Sequence, residues 1–114
     1  MRIDELLKKY CFHDSLINEI IYANNEVTIT IDFCFWMQEG YQDGTPETGI
    51  IHLRLPDVNS YNGITGEIDS YSILEMEYND NTLSILIMDD FHNTSYSLTV
   101  ESASGQALLQ RESD

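Results

Sequence analysis

The sequence predicts a mainly β protein: an antiparallel meander that forms a sandwich or partial barrel, preceded by one short N-terminal helix. Three observations lead there. Apolar residues alternate with polar ones in several separate runs, most clearly Val27, Ile29, Ile31, Phe33 and Phe35 against Thr28, Thr30, Asp32, Cys34 and Trp36, the period of a strand with one buried face. Asn24-Asn25 and Asn79-Asp80-Asn81 separate such runs and supply residues that tolerate the positive φ of tight hairpin turns. No strand–helix–strand rhythm appears, so a parallel sheet is not expected. At 114 residues the chain has material for one core, and residues 1–114 are read as a single domain.

Along the chain, residues 2–10 read as the helix. Ile3, Leu6, Leu7 and Tyr10 recur at helical spacing, with Asp4 and Glu5 in the first turn and Lys8 and Lys9 in the last, which suits the helix dipole. Strands are expected at 15–22 and 27–36, joined as a hairpin. Residues 37–48 contain two Gly and one Pro and have no period, so they are expected to form a long loop. The next strand, 50–55, stops at Pro56, which cannot donate to a ladder. Residues 57–66 read as turns and 68–71 as a short strand or bridging segment. A second hairpin joins 72–78 to 82–88, 96–101 closes the sheet, and the tail from Ser102 is expected to pack loosely or fray. Ile29, Ile31, Phe33, Leu53, Ile85 and Leu98 share the buried phase and are the expected core.

Charge is the loudest functional signal. Of the twenty acidic residues, sixteen lie between Lys9 and Arg111, where the single base is Arg54, and the net charge is -15. Such a surface repels nucleic-acid phosphates and anionic lipid heads and attracts basic proteins or cations. The longest aliphatic run, Leu83–Met88, is far short of the ~20 residues that span a bilayer. Acids near the N-terminus do not fit a signal peptide. Two cysteines do not make a disulfide scaffold. Cytoplasmic residence without nucleic-acid or membrane partners is the expectation.

Several residue groups invite a chemical reading. His13-Asp14-Ser15 has the residue types of a hydrolytic triad, but neighbours in an extended chain point apart and cannot form a relay. The turn reading has Asp14 or Ser15 bonding nearby backbone N–H groups while His13 packs on the sheet. His52 shares its strand phase with Ile50 and Arg54 and is placed to face Asp32 or Cys34, so a small enzyme or metal-binding domain using His13, Asp32 and His52, with His92 as a further candidate, is the alternative function. No close ligand spacing seeds a metal site, and no catalytic residue, metal or cofactor is assigned. Asp57–Gly63 approximates a calcium loop, with Tyr61 and Gly63 out of place. Glu75 and Glu77 share a strand face, as a solvated strand would also place them. A binding surface is expected at the loop after Phe35, where Trp36, Glu39, Tyr41 and Asp43 combine aromatic contact area with negative charge. The other role weighed for Trp36 is to finish the core at the sheet edge.

The stretch Phe12-His13-Asp14-Ser15-Leu16-Ile17, followed by a hairpin into Val27–Asp32 and then Trp36, resembles the front end of small bacterial β-rich domains of unknown function. Some relatives of that type resemble immunity proteins, which protect a cell from a secreted toxin. The resemblance covers the first third of the chain and implies no catalytic residue. With the charge, it leads to the expectation of a non-enzymatic acidic binding protein, immunity-like, that docks and blocks a basic protein partner.

Overall fold

The computed structural model describes residues 1–112. Helix α1 spans Ile3–Lys9, and eight strands follow: β1 Leu16–Ala23, β2 Glu26–Cys34, β3 Thr48–Leu55, β4 Val58–Asn62, β5 Gly66–Asn79, β6 Thr82–Asp89, β7 Thr94–Ser102 and β8 Leu108–Arg111. All ladders between them are antiparallel, and the strands form one sheet in the order β4-β7-β6-β5-β1-β2-β3-β8. Among the described residues no helix is long and apolar enough to cross a membrane.

Both asparagine turns form as their residue types dictate. Asn24 and Asn25 take φ of 54° and 59°, and Asp80 and Asn81 take 51° and 62°, left-handed at both central positions as a two-residue hairpin requires. The alternation then decides burial. In β2, Val27, Ile29, Ile31 and Phe33 are buried, and in β6 Leu83, Ile85 and Ile87 are, so the two phases meet in one core with Leu53, Leu98 and Val100. Every expected core residue lies in it. From α1, Ile3 and Leu6 complete the core, and Leu7 and Tyr10 pack on its margin.

The sheet cannot be flat. In strand order β3 and β4 stand six spacings apart, about 29 Å in a flat sheet. Yet only Pro56 and Asp57 connect them, and the three Cα steps from Leu55 to Val58 reach at most about 11 Å. The sheet therefore rolls over its own buried face until its two flanks approach, while β4 and β8 remain unclosed edges. The bend is taken up in β5, whose first half pairs with β1 and whose second half pairs with β6. Ser70 there adopts a φ of 53°, and ladder irregularities lie on both sides, between Ile17 and Glu19 of β1 and between Ile73 and Glu75 of β5. A strand that changes sheet halves through a bulge is the usual corner of a sandwich. Across the seam, Val58 N–H donates to Asn25 O (2.8 Å), Ala103 N–H to Asp57 O (2.9 Å), and the buried Ser102 hydroxyl to Pro56 O (3.1 Å).

Three local expectations are corrected. Residues 57–66, read as turns, contain β4, because Val58 and Tyr61 find partners in Ser102 and Val100 of β7. The tail, expected to fray, forms β8 through pairing of Leu108–Arg111 with Arg54–Ile51. Phe35 and Trp36 leave the strand for a single 3₁₀ turn, Phe35–Met37, since β2 has lost its β1 neighbour by then: the last β1–β2 pair is Leu16 with Asp32.

Candidate functional site

One row of ladder partners crosses the sheet: Ile50, Asp32, Leu16, Ser72, Met88 and Ser95. Beyond it on one side lie the turn 10–15 and the loop 35–48, and on the other side the 90–93 tip of the β6–β7 hairpin, because the row meets β1 at its start and β6 at its end while both run antiparallel to β5.

The His13-Asp14-Ser15 motif ties the loop side together. Asp14 takes a φ of 66°, a left-handed conformation that aspartate tolerates better than most side chains. That turns the chain so that Asp14 N–H donates to Ile73 O (2.9 Å) and Ile73 N–H donates to Ser15 O (2.8 Å). Ser15 is fully buried, and its hydroxyl oxygen accepts the backbone N–H of Cys34 (3.0 Å). The capping role expected of Ser15 is thus made across strands rather than within the turn. His13, expected against the sheet, is exposed, its Nδ1 3.3 Å from Asp14 Oδ2.

Gln38 fixes the start of the long loop. Its side-chain nitrogen donates to Cys11 O (2.7 Å) and Cys34 O (2.8 Å), and its side-chain oxygen accepts the Cys11 N–H (2.8 Å), so one amide serves two chain segments. Trp36 N–H donates to Glu47 O (3.1 Å), joining the loop's two ends. Between them Tyr41 donates its hydroxyl to Thr45 O (3.2 Å).

Under this loop lies an open groove of about 540 Å³, floored by Phe33, Phe35 and Ile51, walled by Tyr10 and Leu109, and bordered by Glu39, Tyr41 and Arg111. The aromatic rings run in a chain of edge contacts: Tyr10 to Phe33 with centroids 6.1 Å apart, and Phe33 to Phe35 at 5.4 Å. The Arg111 guanidinium sits 4.2 Å from the centre of the Phe35 ring, a cation–π contact. Gly49 makes that placement possible, because a Cβ there would stand 2.6 Å from the Phe35 ring.

Of the residues expected to bind a partner, Glu39 and Tyr41 line the groove. Trp36 lies outside it and keeps 51% of its surface exposed, so it does not finish the core, and Asp43 is exposed further along the loop. Arg111 and Leu109 were missed because the tail was read as fraying. The signal for them is the period-two placing of Ala107, Leu109 and Arg111.

His52 does not face Asp32 or Cys34. It pairs with Thr30, whose hydroxyl oxygen is 3.1 Å from its Nδ1, and its Nε2 is 3.9 Å from Glu112. Asp32 pairs in the ladders with Leu16 and Ile50. His13, Asp32 and His52 are therefore not brought together, and among the described residues no three His, Cys, Asp or Glu side chains are placed to hold a metal ion.

No protein-family model matches this chain, and no curated protein and no solved structure matches it.

Proposed function

We propose that this chain is an acidic binding protein without catalytic action of its own, and that the 35–48 face docks a basic protein surface. The observation that carries this reading is Trp36. The core does not use its ring, which stays half exposed on a loop tied at both ends and bearing the exposed carboxylates Glu39, Asp43 and Glu47. An aromatic anchor on a constrained loop gives contact area at low ordering cost, and the surrounding charge selects and steers a basic partner. An immunity-like role, in which the partner is a basic toxin that cuts nucleic acid, is the specific form of this proposal. Acidic side chains can occupy a surface that must otherwise hold phosphate. Cytoplasmic residence belongs to the same proposal, and the two free thiols, Cys11 exposed and Cys34 buried, support it.

The test is isolation of the bound protein from native lysate at low salt, followed by calorimetric titration of the purified pair. A basic partner whose affinity falls as salt rises, and falls a further ~30-fold with Trp36→Ala, supports the proposal. A neutral or acidic partner, an affinity indifferent to salt, or an unchanged Kd for Trp36→Ala overturns it.

A further inference from the structure

One cation of this acidic chain lies on the apolar side of the sheet. Ladder partners project to the same face, and Ile51 pairs with Ile31 of β2 and with Arg111 of β8. Ile31 and Ile51 keep only 1% and 2% of their surface exposed, so along this row the core face ends in a guanidinium at the open β8 edge. On the next row of the same face Leu53 pairs with Leu109. The groove of about 540 Å³ is therefore the uncovered end of the core face, not a dent in the outer surface.

An inward charge on an edge strand can simply block pairing with another chain. Guarding the edge accounts for the charge of Arg111 but not for its setting. Its guanidinium sits 4.2 Å from the centre of the Phe35 ring. Stacking occupies the flat face and leaves the in-plane N–H donors for an acceptor. Among the described residues Arg2 meets Asp4 and Arg54 meets Glu26, whereas Arg111 meets no carboxylate. Glu112, next in the chain, lies instead 3.9 Å from His52 Nε2, on the opposite face of β3. The other polar groups of the groove are already engaged: Gln38 bonds Cys11 and Cys34, and Tyr41 donates to Thr45. Arg111 is the strong donor left to a ligand.

An apolar recess of ~300–1,000 Å³ with few converging polar groups is the usual form of a small-ligand site. Tyr10 meets Phe33, and Phe33 meets Phe35, edge to face, an arrangement that one further flat ring extends. We infer that this groove binds a small aromatic monocarboxylate, with its ring against Phe33, Phe35 and Leu109 and its carboxylate on the in-plane donors of Arg111. The net charge of -15 and the Glu39 carboxylate on the rim oppose an anion. A single charge in direct contact with the guanidinium is the form such a site accepts. This inference goes beyond the proposed protein docking and does not rest on it, since Trp36 lies outside the groove.

The experiment titrates the nitrogen-labelled full chain with phenylpropionate, indole propionate and naphthoate, each beside its neutral primary amide, and follows backbone amide resonances and heats of binding. Expected is a carboxylate that shifts the resonances of Phe35, Ile51, Leu109 and Arg111 and binds ~10-fold or more tightly than its amide. That preference should vanish in Arg111→Met, whose melting temperature should match wild type. Equal affinity for acid and amide shows an apolar groove without anion recognition and overturns the inference. Shifts confined to other residues, or no binding by any of the three acids, overturn it as well. An Arg111→Met chain that self-associates yet binds the carboxylate as wild type does would assign Arg111 to guarding the edge, and the inference would fall. None of these results bears on the docking role of Trp36.

Discussion

Ser15 holds Cys34: a fully buried hydroxyl oxygen lies 3.0 Å from the Cys34 backbone nitrogen, just past the last β1–β2 ladder pair. Without that acceptor the end of β2 would carry a buried N–H on the side where β1 no longer pairs with it, β3 lying on the other. Ser15→Ala removes the acceptor and is expected to cost ~1–3 kcal/mol, the range for orphaning a buried donor. Denaturant unfolding measures this directly, and a loss below ~0.5 kcal/mol, the spread of neutral surface changes, would show that the turn does not depend on the bond.

Gln38 has the corresponding role for the long loop, with three hydrogen bonds from one side-chain amide to Cys11 and Cys34. All three lie at or near the surface, so each contributes at the low end of ~0.5–1.5 kcal/mol. Gln38→Ala is therefore expected to lower stability by about 1–2 kcal/mol. Its sharper effect is local: with the tether gone, limited proteolysis between residues 38 and 48 should accelerate well beyond what the global loss accounts for. Equal acceleration at all cleavage sites would assign Gln38 a global role instead.

How much of this was legible follows from where each stabilising partner sits in sequence. The phases of β2 and β6 are local patterns of apolar side chains, and so Ile29, Phe33 and Ile85 could be placed in the core by counting. The two asparagine hairpins were legible for the same reason, since a turn is decided by the residues inside it. β4 and β8 were not. Val58-Asn59-Ser60-Tyr61-Asn62 is a strand because β7 lies beside it, and Leu108–Arg111 is one because β3 does. The groove inherits that difficulty, for Arg111 and Leu109 reach Phe35 only once the tail has paired. Ser15 was identified as a cap, while its acceptor role toward Cys34, nineteen residues away, needed the fold.

The Asp89 carboxyl gives the hairpin tip a defined response to acid. Burial pushes its pKa up, but hydrogen bonds from the His92 ring and backbone and the charge of that ring outweigh burial, and the result lies below the ordinary value of 3.8. A carboxylate held lower in the folded state stabilises fully above its unfolded pKa and loses that contribution as pH falls through the folded one. Asp89→Asn removes this linkage. Wild type should therefore be the more stable of the two at pH 6, with the difference in melting temperature shrinking below pH ~4. A difference that stays constant from pH 6 to pH 2 would show that Asp89 does not act through its charge.

Glu75 responds in the opposite direction, and it reports on the charge of the whole molecule. The neighbouring Glu77, by a shared hydrogen bond first and by its like charge second, with some burial besides, raises the Glu75 pKa above 4.5. An acid whose folded pKa is raised favours folding below its unfolded pKa, and that advantage is lost as pH rises through the folded one. At neutral pH the pair therefore opposes folding, in a chain that already carries a net charge of -15. Screening acts on the same repulsion, with a Debye length near 10 Å at 0.1 M salt. The melting temperature should rise as sodium chloride goes from about 10 mM to about 300 mM, and Glu75→Gln should raise it at low salt while making the rise shallower. On acidification wild type should first gain stability towards pH ~4.5, as Glu75 takes up its proton, and then lose it below pH ~4, as Asp89 does. A melting temperature flat in salt, or a Glu75→Gln variant with an undiminished salt slope, would mean that ion pairs such as Arg54 with Glu26, at 2.9 Å, already balance the surface locally. The acidic face would then hold less unspent attraction for a basic partner than its formal charge suggests.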